Sequence, residues 1–270
     1  MSFRDLLAAA VQYFTLHGFA EPHVLAQWMA RLRDAALGEL PTPKQVDDHS
    51  RRAMEATFKR ALTYAALKRR HPDVSRYTID RIKPQLRDEL TKRVMANAEL
   101  IKLNRQAAIE KTLQRFSGWA TSVPEGGSRI TNRTDVKEDV TKSLKQLKYE
   151  ERRCNIDQGH KLMAAIDAVV AKETGAIAMK WRSHWRDSHY DYRPDHKERD
   201  GKFYAIRGSW ATERGLINKG AGYADDMTQP GEEVYCRCYA VYVTGLRGLP
   251  DEMLTTKGRE EYERVRVKAA

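Results

Sequence analysis

From about Thr78 or Pro84 to Phe116 the chain runs without a glycine, and Leu86, Leu90, Val94, Ile101, Ile109, Leu113 and Phe116 recur on one helical face. A helix of roughly forty residues is several times the usual length in globular proteins. Its apolar stripe is narrow. Such a helix must rest on partner helices or on another subunit. That one segment commits the first half of the chain to long helices.

The neighbouring segments agree. Leu6, Leu7, Val11 and Phe14 fall at helical spacing, and Val24, Trp28, Leu32 and Leu37 form a second stripe, opened by Glu21-Pro22 and closed by Gly38 and Pro41. A third helix is expected from Thr42-Pro43, with Val46, Met54, Phe58, Leu62 and Ala66 on one stripe. It ends at His71-Pro72, because the residue before proline is pushed out of the helical region. Thr121–Thr134, "TSVPEGGSRITNRT", carries proline and paired glycine and reads as a linker or exposed loop. A further helix is expected over Asp135–Glu173, capped by Thr134 and stopped by Gly175.

After Gly175 the texture changes. "AIAMKWRSHW" reads as a strand with Ile177, Met179 and Trp181 on one face, and "GKFYAIRG" as a second short strand. A long Gly-rich stretch follows, then a strand from Val234 to Val243, then a short terminal helix. The expected fold class is α+β. The expected division is a helical region over 1–120, a linker over 121–134, a compact domain over 135–250 with a helix packed on a small antiparallel sheet, and a tail over 251–270.

The net charge is +11, and it is uneven: residues 1–120 hold 21 Lys+Arg against 13 Asp+Glu, residues 121–270 hold 27 against 24. An excess of this kind suits an acidic partner, nucleic acid first, although a solvated helix surface produces the same composition. Arg51, Arg52, Lys59, Arg60, Lys68, Arg69 and Arg70 recur along one expected helix and are the candidate phosphate contacts, although they do not all share one face. No stretch approaches the ~18 continuous apolar residues of a membrane span. Three cysteines cannot make a disulfide framework, so a reducing compartment is expected.

Two of those cysteines, Cys236 and Cys238, are one residue apart. On an extended strand they point to the same side, while a disulfide between them would be strained. Two co-facing thiolates with a histidine suit zinc, and His196, His189 and His184 are the histidines at hand. Small cysteines filling a crowded strand are the plainer reading. Of Glu232 and Glu233, at most one can join Cys236 if both lie on a strand. Asp200-Gly201 reads as a turn, and Asp225-Asp226 as a solvated loop or a divalent-ion site. Trp181, Trp185 and Tyr190 read as core or as base-stacking aromatics. No dinucleotide fingerprint and no serine elbow is present, and without a phosphate-binding loop with Gly-Lys-Ser/Thr the chain is not a nucleotide-driven motor.

The order Asp187, Arg193-Pro-x-His196, Asp200-Gly201, a Gly-rich stretch, Glu232/Glu233 and Cys236-Arg237-Cys238 resembles the phage Mu F-like head-morphogenesis family. The resemblance covers roughly Leu144 to Val243. It departs from the family pattern at Tyr235, where the family has Asn, at Arg199, where the family has an apolar residue, and at Tyr149, in place of an Arg. Glu151 and Gly159 stand where the family's upstream helix would have them.

The resemblance implies a minor capsid protein, inside the capsid at the portal vertex of the virion and in the host cytoplasm during assembly. Its partners would be the portal protein, packaged double-stranded DNA and other capsid or scaffold proteins, with no membrane. It would act in head assembly and in DNA packaging or ejection. A zinc ion is expected on Cys236, Cys238, His196 and a fourth group, Asp200 or His189. The rival expectations are an enzyme, either a nuclease or an ADP-ribosyltransferase-like effector, and a DNA-binding ejection protein. No residue is assigned a catalytic role.

Overall fold

The structure, a computed structural model, describes residues 1–269. Its order of elements is α1 (Phe3–His17), α2 (Pro22–Glu39), α3 (Pro43–Ala61), α4 (Tyr64–Arg70), α5 (Arg76–Ser122), α6 (Arg133–Glu173), β1 (Ala178–Arg182), α7 (Pro194–Glu198), β2 (Phe203–Ala205), α8 (Trp210–Glu213), β3 (Tyr239–Val243) and α9 (Thr256–Ala269). Long helices with one small antiparallel sheet make an α+β fold, as expected.

The compact units do not follow the expected boundaries. One comprises residues 1–50 and 97–154, the other residues 51–96 and 155–270. The divisions fall within α3, α5 and α6, where no glycine or proline marks them.

In the first unit, Phe3, Leu7, Val11 and Phe14 of α1 bury against Leu32 and Ala36 of α2, Ile109, Leu113 and Phe116 of α5, and Val140 of α6. Phe14 and Phe116 meet edge to face at 5.8 Å. Each of the Phe, Leu, Ile and Val side chains contributes about 1.5–3 kcal/mol by leaving water. Ser2 caps α1 by accepting from Asp5 N. The stretch expected to be a linker or exposed loop is largely exposed, but its 123–128 part is docked: Gly126 N donates to His17 O, Ser128 N to Thr15 O, and Phe19 N to Val123 O. Gly127 has φ +88°, and a Cβ there would sit 2.4 Å from Thr15 O, so the close approach needs glycine.

The third expected helix is two helices. Thr63 breaks it, accepting from Ala66 N as the cap of α4. The cap of α6 is Asn132 rather than Thr134; its side-chain oxygen accepts from Thr134 N and Asp135 N. The helix stops at Gly175, φ +64°, as expected.

In the second unit, Met54, Phe58, Leu67, Ile79, Ile82 and Leu86 pack on Leu162, Ile166 and Val170 of α6. The sheet order is β2-β1-β3, with Met179 of β1 opposite Tyr204 on one side and Tyr242 on the other. Met179 and Trp181 bury with Tyr204, Tyr242, Cys236 and Cys238. Ile177 does not share their cluster; it precedes the strand and packs with Ala178, Ala205, Val243 and Met253. No described helix is long and apolar enough to cross a membrane.

Candidate metal centre

The sequence from Arg182 to Gly201 folds back on itself at the end of β1. Gly201 N donates to Trp181 O and Trp181 N to Lys202 O. The Asp200 carboxylate accepts from Ser183 N at 3.0 Å, from Trp185 Nε1 at 2.9 Å and from Arg186 at 3.3 Å. These donors, working against burial, hold its carboxyl below the usual carboxylate range. The short helix α7 starts at Pro194, a residue pre-set for a first helical turn, and carries His196 to a buried position.

The cysteine segment is not the strand that was expected. β3 begins only at Tyr239. Tyr235 has φ +60°, alone among the described non-glycine residues in being left-handed, and that conformation cannot continue a strand. Three contacts fix the irregular run. Tyr235 N donates to the buried Asp157 at 2.6 Å, Arg237 N donates to Tyr190 Oη at 3.1 Å, and Cys236 N donates to Glu233 O at 3.0 Å. Asp157 sits mid-helix on α6 and also accepts from Lys161 at 2.9 Å.

The result brings three donors together. His196 Nδ1 lies 3.6 Å from Cys236 Sγ and 3.5 Å from Cys238 Sγ. All three residues are buried, and their ligand atoms lie within 4.8 Å of one another, so the group could hold a metal ion. The opposite ring nitrogen, His196 Nε2, lies 3.3 Å from Glu233 Oε1. Glu233 is held in turn by Arg193 Nε at 2.8 Å and by the Thr228 hydroxyl at 2.8 Å. The Thr228 hydroxyl first, then Arg193 and His196, hold the Glu233 carboxyl below its usual range against the opposing effect of burial. Gly231 N donates to Cys236 Sγ at 3.4 Å.

The electrostatics suit a thiolate. The hydrogen bond from Cys238 brings the Cys236 thiol down to about 6, while Cys236 and burial push the Cys238 thiol up. One proton therefore leaves readily and the second is held. A cation between the sulfurs removes the second. The buried Trp181 Nε1 and Ser183 Oγ find no oxygen or nitrogen partner; both side chains turn to Cys238 and act to lower its thiol. A charged sulfur would accept from these donors more strongly than a thiol does.

Other expected site residues lie elsewhere. Asp200 is not a member of the donor group; its oxygens serve Ser183, Trp185 and Arg186, because its role is to close the turn. His189 and His184 are exposed and also outside it. Glu232 accepts from Gln229 N, leaving Glu233 as the carboxylate beside the site. Asp225 and Asp226 pair with Arg207. Glu151 pairs with Arg105 and has no part in the centre. Trp181 is core; Trp185 and Tyr190 are tied by the hydrogen bonds above.

Among the basic candidates, Arg51, Arg52, Lys59, Arg60 and Arg69 are exposed, and Lys68 is half-buried with Nζ on Pro72 O. Arg70 is a correction. It is buried, with Nε 2.8 Å from Asp167 and a bond to Ala61 O, so its charge is spent inside the fold. His71 Nε2 shares Asp167 at 3.1 Å and stacks on Tyr242 at 5.2 Å.

Asp157, Gly231 and Thr228 were not singled out by sequence. The one available signal was Asp157 placed four residues before Lys161, which ordinarily marks a solvated helix face. Set against family models, curated proteins and solved structures, the chain matches none.

Proposed function

We propose that this chain is a zinc-stabilised minor head protein of a tailed phage, of the Mu F-like kind, acting at the portal vertex in head assembly and in DNA packaging or ejection. The observation that carries the reading is a convergence. Arg193, His196, Glu233, Cys236 and Cys238, which the resemblance names across forty-odd residues of sequence, close on one buried centre.

Zinc is favoured by geometry as well as by donor type. With Zn–S near 2.3 Å and Zn–N near 2.0–2.1 Å, tetrahedral coordination separates sulfur and nitrogen by about 3.6 Å. The observed separations are 3.5 and 3.6 Å. Glu233 behind the imidazole is the usual outer partner of a metal-bound histidine. Tyr235 adds support: the family's Asn at this position is the non-glycine type best suited to a left-handed residue, and φ here is +60°.

A structural role for the metal is favoured over catalysis. The nuclease or transferase reading needs His196, a carboxylate and an Arg to face a substrate. His196 does stand with Glu233 and Arg193, but its side chain is 1% exposed and both ring nitrogens face protein atoms. The exposed members of the basic set, Arg51, Arg52, Lys59, Arg60 and Arg69, are the proposed contacts to packaged DNA.

Mass spectrometry of purified virions and of emptied ghosts tests the assignment. The chain should appear in virions at a few copies relative to the major capsid protein. Its absence from virions would overturn the head-protein reading, whatever the metal content.

A further inference from the structure

The second unit has a cleft of about 220 Å3 that meets the candidate metal centre only at Cys238, which lines its wall. Arg69, His160, His184 and Arg237 lie along it, together with Met163, Pro230 and Tyr239. We propose that this cleft binds a phosphomonoester, with the phosphate held among Arg69, Arg237 and the two histidines, and a small apolar or planar body against Met163, Pro230 and Tyr239.

The balance of charge points to an anion. The carboxylate in the wall is Asp167, and it is already matched by Arg70 at 2.8 Å and His71 at 3.1 Å. Asp157, near His160, is engaged by Lys161 and by Tyr235 N. Arg237 stacks on Tyr190 at 4.9 Å and reaches Asp187 with one nitrogen, at 3.5 Å, so most of its guanidinium donors are not taken up by acids. Arg69 has no carboxylate partner, and neither the His160 nor the His184 ring is hydrogen-bonded among the described residues. Burial first, then the charges of Arg237 and His184, bring His160 down to about 4. Arg69 and Arg237 bring positive charge to this cleft that no acid fully balances, the neutral His160 ring adds a donor, and a phosphate supplies the balance.

The apolar part of the wall argues for more than a bare ion. Met163 and Pro230 offer no donors, and Tyr239 offers a ring face. Ligand sites combine such walls with a few convergent polar groups. The proposal does not depend on the head-protein reading; the two share only Arg69, and the duplex-DNA arm of the test decides which ligand that arginine serves.

Calorimetric titration of the full chain, metal-replete, with AMP, adenosine, inorganic phosphate and a short duplex DNA tests it. AMP should bind, inorganic phosphate should compete more weakly, and adenosine should not bind. Arg69→Ala and His160→Gln should each weaken AMP about tenfold, the loss expected when one charge-assisted hydrogen bond to phosphate goes. Arg69 is exposed, so its variant keeps the fold even if the His160 variant does not. No binding at millimolar AMP, equal binding of adenosine, or AMP affinity indifferent to Arg69→Ala overturns the proposal. Duplex DNA competing as well per phosphate as AMP does would assign the cleft to nucleic acid and overturn the small-molecule assignment.

Discussion

Glu233 Oε1 lies 3.3 Å from His196 Nε2, on the ring edge away from the two sulfurs. A carboxylate there fixes the imidazole with Nδ1 toward Cys236 and Cys238 and raises its strength as a ligand. Glu233→Gln keeps the shape and removes the charge. Zinc affinity, read by competition with a chromogenic chelator, should fall about 10–100-fold. Unchanged affinity would mean that Glu233 serves Arg193 and Thr228 alone.

The Arg70–Asp167 pair should behave as a buried pair and not as a DNA contact. Arg70→Ala leaves Asp167 in the core with only His71 beside it, at a cost of about 3 kcal/mol in urea unfolding. Arg52→Ala, on the exposed surface, should cost no more than about 0.5 kcal/mol. In a DNA-binding assay the order should reverse, with Arg52→Ala weakening a salt-sensitive interaction.

The helices were readable because their period is long and regular, but their interruptions were not. Leu62 and Ala66 continue the apolar stripe across Thr63, so periodicity alone carried one helix through a break that the Thr63 cap makes. Composition marked Thr121–Thr134 as irregular, yet composition cannot separate a free loop from a docked one. The contact between Gly127 and Thr15 is long-range and leaves no local trace. The unit boundaries fall inside α3, α5 and α6, where nothing in the sequence changes. At the candidate metal centre, the order of His and Cys placed the donors together. Asp200 was named as a ligand on sequence proximity, while its bonds to Ser183 and Trp185 depend on how the chain leaves β1. Asp157 was invisible because a mid-helix acid four residues before a lysine looks solvated.

Gly126 and Gly127 both have positive φ, but only Gly127 approaches backbone. Gly126→Ala should cost about 1–2 kcal/mol, the strain of a left-handed alanine. Gly127→Ala adds a collision with Thr15 O and should cost clearly more. Thermal unfolding of the two variants side by side gives the difference. Equal losses would mean the 123–128 segment is not docked on the end of α1.

Tyr235 holds a conformation that costs a tyrosine more than an asparagine. Tyr235→Asn should raise stability by about 1 kcal/mol in urea unfolding. A loss of that size instead would place the side chain's contacts above the backbone strain.

His160 sets a pH dependence. Its folded pKa is about 4 against a usual 6.5, so between those values the unfolded chain binds the proton and the folded chain does not. Stability is therefore present above pH 6.5 and declines as the pH falls toward 4, by about 2–3 kcal/mol from this group. His160→Gln should flatten that part of the pH–stability curve. An unchanged slope would show that the folded imidazole takes up its proton as freely as the unfolded one.

The zinc content of protein purified without chelators tests the central claim most directly. The account predicts about one zinc per chain, with Cys238→Ser lowering both the zinc and the melting temperature, because binding energy at a structural site is folding energy. Zinc-free protein from zinc-supplemented cells, or a Cys238→Ser chain that retains its full zinc, would contradict it.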